Sequence, residues 1–432
     1  MPRVKKEAAL TPEERLQAAL VPDWEWPYKL PENWCWLKLV ESFDNHTGSK
    51  KKVQQKDYLT KGKIAVVDQG QELIGGYTNA VEKSYSGVLP IVVFGDHTRR
   101  IKFVDFSFAQ GADGVKVLSP KPFYLPKAFY YALQSVNIPN LGYRRHFPLF
   151  NKFSIPLPPF AEQQRIVDRI ESLFSKLDEA KEKAQAVVDS FETRKAAILH
   201  KAFTGELTKK WRKSADTRWA YKKIKDCCKL GSGGTPSRKV PDYFRGDIPW
   251  VRTGEIEWDD ICDTEEKITQ SAIDNSSARC YEPGVVLVAM YGMGVTRGKA
   301  GILRVRAATN QAVCVLEPQS GLIYNRYLLY YFMRNYWDIR EKAVGGNQLN
   351  LSLTIIKELD IEIPPIDEQM EIVRILDQLF AKEQQSKEAA EAVLDQIDLM
   401  KKSILARAFR GELGTNGPSE ESAVELLRNS IN

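Results

Sequence analysis

At 432 residues, 43% apolar and 27% charged, the chain has an ordinary globular composition and length for two or three domains. It has no run of 18 apolar residues, and MPRVKKEAALTPEERLQAAL lacks an apolar signal core, so neither a membrane span nor a secretory signal is expected. The six cysteines are scattered without a CxxC, which argues against a disulfide framework or zinc site and for a reducing, cytoplasmic setting. The net charge of +6 permits a nucleic-acid partner without requiring one.

Residues 1–22 read as a charged arm with a helix in TPEERLQAAL. A first domain, 23–157, opens on the aromatic cluster WEWPYKLPENWCW. Short apolar runs broken by Gly, Asn and Asp follow: KIAVVDQG, GVLPIVVFGD, RIKFVDFSFAQG and GVKVLSP. These predict β-strands joined by turns. A helix in LPKAFYYALQS, the loop GYRRHFP and a strand, FSIPLPP, complete the domain. Residues 158–207 form a long helical segment without an internal Gly or Pro until its end. The basic stretch GELTKKWRKSADTRW then leads into a second domain, 208–363, on the same plan. It has a Gly-rich turn, KLGSGGTPSRK, strands GVVLVAMYG, GILRV and AVCVLEP, a helix in NRYLLYYFMRNYW, the loop VGGNQLN and strand IEIPP. A second long helix, 364–413, and a polar tail, 414–432, with a short helix in ESAVELLRNS, end the chain.

The two long segments are copies. PPFAEQQRIV and PPIDEQMEIV open them, AFTGEL and AFRGEL close them, and they align without a gap with 23 identities in 50 positions. An interval this long excludes a solenoid and indicates a duplicated domain-plus-helix unit. In the first copy Ile166, Ile170, Leu173, Leu177, Ala180, Ala184, Val187, Phe191 and Ile198 recur at steps of four and three, with Arg194 in one gap. In the second, Ile372, Leu376, Leu379, Ala390, Val393, Ile397, Met400 and Ile404 keep that register, with Glu383 and Ser386 as polar interruptions. Such a period predicts that the two helices pack on each other as a coiled coil, the polar pair fixing register or meeting another subunit. Double prolines and early acidic residues mark each start, and Gly205 and Gly411 each stop. About 40 helical residues make a rod about 60 Å long. The fold class is therefore α+β, with two mixed domains carried on duplicated rods.

Several fragments mimic catalytic motifs and fail on chemistry. Leu157-Pro158-Pro159-Phe160 resembles an amino-methyltransferase motif, but Leu157 cannot accept a hydrogen bond from the target amine. Gly294–Lys299 lacks P-loop spacing and is followed by Ala300 where a metal-binding hydroxyl belongs. Gly231, Gly233 and Gly234 precede no helix pattern and do not cradle a dinucleotide. His46, His97, His146 and His200 lie far apart. Asp242 with Glu265 and Lys267 loosely matches a nuclease pattern and stays as a weak alternative. No catalytic residue is assigned, and no metal or cofactor is expected in this chain.

What the sequence does supply is Arg, Lys, Asn and Gln clustered beside glycines in loops. The first domain offers Lys51, Tyr77, Thr78, Arg99, Arg100, Arg144 and Arg145. The second offers Thr235, Ser237, Arg238, Lys239, Trp250, Arg252, Thr253, Arg297, Lys299, Asn310, Gln311, Asn347 and Gln348. Arg and Lys neutralise phosphates, Arg grips guanine with two donors, and Asn or Gln grips adenine likewise. Singly each is as easily a solvated loop residue. Together, on two domains joined to rods, they favour double-stranded DNA as partner.

The two PP-x-x-EQ openings (Pro158–Gln163, Pro364–Gln369) and two A-F-x-G-E-L closings (Ala202–Leu207, Ala408–Leu413) resemble the specificity subunit of type I restriction–modification systems. So do SGGTPSRKVPDYFRGDIPW (Ser232–Trp250), TNQAV (Thr309–Val313) and GGNQLNLSL (Gly345–Leu353). The first domain matches more loosely. The resemblance implies two target recognition domains, each reading half of a split DNA sequence, and antiparallel helices that set the unread spacer. It implies two modification subunits docked on the helices, flipping an adenine for N6-methylation, with restriction subunits adding ATP-driven translocation and cleavage. S-adenosylmethionine, ATP and Mg²⁺ would belong to those partners. Glu162, Gln163, Phe203, Gly205, Glu368, Gln369, Phe409 and Gly411 become the expected partner-binding residues. A coiled-coil scaffold binding protein or RNA remains the other alternative. Inserting one helical turn into the first rod is expected to lengthen the unread spacer of the methylated motif, read by methylome sequencing; an unchanged spacer would remove the spacing role.

Overall fold

The apolar runs pair as strands in both domains, and the reason is burial. In Ile91–Gly95 all five residues are buried, as a central strand requires. The computed structural model describes residues 11–48, 52–212, 219–292, 294–345 and 349–431. It divides into two units: Met1–Ala184 with Ala392–Asn432, and Gln185–Glu391. Lys51, Asn347 and Gln348 lie outside the described residues.

In the first unit a four-stranded antiparallel sheet has the spatial order Phe43–Asn45, Val115–Pro120, Ile91–Gly95, Ile101–Val104. A three-stranded sheet places Ile64–Val67 between antiparallel Gly76–Thr78 and parallel Phe108–Gln110. Helix Pro126–Ser135 and the long helices share a core with Trp34, Trp36, Phe94 and Phe129. The second unit repeats the scheme with a five-stranded sheet, Cys228–Ser232, Val313–Pro318, Val286–Ala289, Ala300–Leu303, Asp260–Ile261. A four-stranded sheet orders Lys267–Ile268, Ile248–Val251, Ala307–Thr309 and Cys280–Tyr281. The two similar tetrapeptides, VLSP and VLEP, both end strands that pair antiparallel with the central strand of their sheet.

The long helices span Phe160–Asp189, continuing as Phe191–Phe203 after a break at Ser190, and Ile366–Ala408. Each unit holds a stretch of both, and within each they run antiparallel. In the first unit Lys401 donates to Asp178 at 2.5 Å and lies over the Phe174 ring. In the second, Lys387 lies over Phe191, Arg194 binds Glu383 at 2.7 Å, and Lys195 lies over Phe380. The two polar interruptions at Arg194 and Glu383 are therefore one feature, an ion pair across the seam. Ser386 instead donates to its own helix at Lys382. The expected second seam is corrected beyond Ala390. Val393 and Met400 are exposed, while Leu394 and Lys401 turn inward, because steps of four, three and four from Ala390 fall on those residues.

The helix ends correct the expected partner-binding residues. Gln163 Nε2 donates to Phe123 O and Pro158 O, and its Oε1 accepts from Leu125 N. Gln369 does the same with Leu322 O, Pro364 O and Tyr324 N. Each glutamine pins its rod to the chain before the preceding short helix. Glu162 accepts from Trp34 Nε1 at 2.7 Å, Thr415 Oγ1 and Asn416 Nδ2. Glu368 accepts from Thr208 Oγ1 at 2.6 Å and pairs with Arg212 at 2.9 Å. Phe203 packs on Tyr327, and Phe409 is fully buried. Gly205 and Gly411 have φ of +72° and +76° at the helix stops; an added Cβ would strike Arg212 and Pro31 respectively. These eight residues close their own unit and leave little side-chain surface for a partner. Helix Pro12–Ala19 packs against Ala423–Ile431, so arm and tail join the first unit's core through Leu16 and Leu427.

Gln369→Ala would leave the half-buried Tyr324 N–H without its acceptor and is expected to cost about 1–3 kcal/mol in chemical denaturation. Exposed Gln164→Ala is expected to stay within about 0.5 kcal/mol.

Candidate nucleic-acid interface

Sheet topology gathers most second-domain candidates at one end. Register pairs Ser232 with Cys314, Ala289 with Val313, and Val288 with Ala300. Chain segments 233–247, 290–299 and 310–312 therefore leave the same end of the five-stranded sheet. Ile248–Val251 runs parallel to Ala307–Thr309, so Arg252 and Asn310 emerge side by side, and Asn310 N donates to Val251 O. The glycines of the SGGT turn exist for close approach. A Cβ on Gly233 would collide with the Thr309 backbone, and one on Gly234 with Ser277 and Ala278. That contact brings exposed Thr235 to Gln311, whose side chains hydrogen-bond.

A cavity of about 430 Å³ between the strand ends is lined by Arg252, Thr253, Gly254, Glu255, Glu265 and Asn310. Arg252 is held there by Glu265 at 2.5 Å and lies 3.8 Å from Glu255. The Asn310 carbonyl accepts from Ala312 N, which fixes the amide. Arg238 makes a two-pronged bond to Glu266 (2.6 and 3.0 Å) while lying 4.0 Å over the Phe244 ring. Those bonds hold the Glu266 carboxyl below the usual carboxylate range. Ser237 and Lys239 are exposed on the same turn. Guanidinium and amide groups fixed at the mouth of one cavity are what two-pronged base readout requires.

Two second-domain expectations are corrected. Trp250 is 2% exposed, with Nε1 donating to Gly234 O, so it braces the turn rather than touching a ligand. Lys299 is buried against Glu257. Arg297 bonds Leu349 O; burial first, and neighbouring Arg340 next, push its guanidinium pKa down.

The first domain gathers fewer of its candidates. Asp96 N donates to Gly114 O, Thr98 Oγ1 to Gln69 O, and His146 N to Asp96. Segments 68–75, 96–100, 111–114 and 140–147 thus meet at one sheet end, bringing Arg100, Arg144 and Arg145 there, all exposed. Arg99 is corrected: Nη1 donates to Ile138 O, tying two loops together. Tyr77 and Thr78 lie on a strand leading away from that end, because Thr78 pairs with Ile64 at the far end of its neighbour. Thr78 is buried, and its hydroxyl accepts from Ala80 N. Tyr143, which opens the same Tyr-Arg-Arg-His cluster, is 86% exposed and stacked on His97 at 4.9 Å.

The weak nuclease constellation does not assemble. Asp242 pairs with Arg245, Glu265 with Arg252, and Lys267 with Asp263. Among the described residues no three His, Cys, Asp or Glu side chains are grouped to hold a metal ion, and no helix is long and apolar enough to cross a membrane.

Residues 217–394 match the type I restriction modification DNA specificity domain. The chain is related to the MjaIX type I restriction enzyme specificity subunit of Methanocaldococcus jannaschii, 29% identical over 40% of this chain and 41% of that one. It is related also to the EcoKI specificity subunit of Escherichia coli K12, 27% identical over 61% of this chain and 58% of that one. The chain thus spans about half the length of these relatives. Its fold is that of the crystal structure of the HsdS subunit from Thermoanaerobacter tengcongensis, with TM-score 0.59, 17% identity, and coverage of 90% of this chain and 99% of that one.

Gly233→Ala is expected to lower stability by about 2 kcal/mol or more, through the collision with the Thr309 backbone. Ser237→Ala on the same turn is expected to change it by under about 0.5 kcal/mol. Thermal unfolding of the full chain reads both.

Proposed function

From this relation to type I restriction enzyme specificity subunits, we infer that the chain reads DNA sequence for a restriction–modification complex and catalyses nothing itself. Each unit reads one half of a split, asymmetric target. Two modification subunits methylate a flipped adenine at N6 within the bound target, and restriction subunits add ATP-dependent cleavage. S-adenosylmethionine, ATP and Mg²⁺ act in those partners. The observation that carries the reading is the juxtaposition of Arg252 and Asn310 at the mouth of one cavity, with Thr235 and Gln311 bonded on the adjoining turn. A guanine-gripping and an adenine-gripping side chain emerge from neighbouring parallel strands, within the stretch that matches a DNA specificity domain.

Methylome sequencing of a host expressing this chain with its neighbouring methyltransferase is the test. A split N6-methyladenine motif that vanishes when this chain alone is deleted supports the reading. Unchanged methylation with an active partner would overturn it in favour of a scaffold. Arg252→Ala is expected to relax one base position in one half-site, with about 10- to 100-fold loss of discrimination there, and to leave the other half-site unchanged. Uniform weakening on all duplexes would make Arg252 a phosphate contact instead.

A further inference from the structure

We propose that loops 96–100 and 140–147 form the base-reading tip of the first unit, positioned by a buried latch of Asp96 and His146. This rests on the DNA-specificity reading above and names the residues responsible for its less legible half.

The latch is fully used. Asp96 is 3% exposed and His146 0%. Asp96 Oδ1 accepts from His146 N at 2.8 Å and Phe147 N at 2.7 Å. His146 Nδ1 contacts Asp96 O at 2.8 Å, and Nε2 contacts Leu141 N at 3.1 Å. A backbone N–H can only donate and a carbonyl can only accept. The imidazole is therefore the neutral tautomer protonated at Nδ1, with Nδ1 tying it to the 96–100 loop and Nε2 to the start of its own loop. Lys116 Nζ, 4.0 Å from Asp96 Oδ2, offsets the buried carboxylate. Arg99 adds a third tie through Ile138 O.

Above the latch the loops present a surface with no internal use. Tyr143 lies flat on His97 with an interplanar angle of 16°, while remaining 86% exposed. Gly142 (φ +67°) turns the chain there, its N–H donating to Asn140 Oδ1. Arg100, Arg144 and Arg145 are exposed, and their side chains make no hydrogen bond or ion pair among the described residues. In the second unit carboxylates hold the reading arginine in place. Here no carboxylate pairs with the loop arginines, and a rigid backbone supplies the placement. Fixing the loops beforehand removes ordering cost on binding, and unpaired guanidinium forks beside a flat aromatic fit the guanine edges of a half-site. Arg144 and Arg145 are the specificity-determining side chains, and Asp96 and His146 are positioning residues.

The test uses the full chain with its methyltransferase partner, read by methylome sequencing and by duplex binding. Arg144→Gln and Arg145→Gln, both at exposed positions, are expected to make one half-site degenerate, with discrimination falling roughly tenfold or more per position. That half-site is the one Arg252→Ala leaves intact. His146→Ala is expected to degrade the same half-site. His146→Gln, which keeps an acceptor for Leu141 N, is expected to recover part of the selectivity. If the two arginine variants and His146→Ala all leave the wild-type split motif intact, or blur both half-sites equally, this proposal is overturned while the DNA-specificity reading stands. If the wild-type chain directs no split motif, the reading beneath it has failed first.

Discussion

Two buried carboxylates, Glu162 and Glu368, hold this architecture together. Each sits in the first turn of a long helix, where the helix dipole favours negative charge, and each is almost fully removed from water. A buried carboxylate is costly unless its lone pairs are filled. The groups that meet them come mainly from the chain leaving the other long helix: hydrogen bonds from Thr415 and Asn416 for Glu162, and a Thr208 hydrogen bond with an Arg212 ion pair, both on Oε1, for Glu368. The start of one rod is thus bonded to the exit of its antiparallel neighbour in both units. The positive-φ glycine at each exit lets the chain turn back to reach the carboxylate. The invariance of the PP-x-x-EQ and A-F-x-G-E-L ends between the two copies follows from this closure.

On that constant frame the recognition ends diverge. The second unit holds the side chains proposed for base reading by charge, with Glu265, Glu255 and Glu266 around Arg252 and Arg238. The first fixes its loops by main-chain bonds around a neutral imidazole. On the proposed function, carboxylates beside a reading guanidinium would also repel DNA phosphates and so restrain non-specific affinity. Free arginines do the opposite. On that proposal the two ends suit different balances of grip and discrimination.

The rods, their ends and the chain order of the main strands and helices were legible in the sequence, because periodicity and duplication survive in residue spacing. What escaped was the direction of particular side chains. Gln163 and Gln369 read as surface contacts because polar residues in a repeated motif suggest a partner. Only three-dimensional proximity reveals the backbone groups they satisfy. Trp250 and Lys299 lay in a promising loop composition, and burial reassigned them. Val393 and Met400 missed the seam by one residue each, a drift that a fixed 3.5-residue count cannot register across the Arg194–Glu383 pair. Arg252 and Asn310 were found from composition, but their adjacency needed the parallel pairing of two short strands far apart in sequence.

The union of chain start and chain end also fixes an order of assembly. The second unit is complete once Glu391 is synthesised. The first lacks the helix segment carrying Leu405 and Phe409, and the tail helix that covers Leu16, until residues 405–431 are made. Ala423 N bonds Asn33 O across nearly the whole length of the chain. The domain made first is therefore finished last. Its Trp34–Leu39 region shares one apolar core with Leu405, Phe409 and Leu427, so the first unit cannot bury that face from its N-terminal stretch alone.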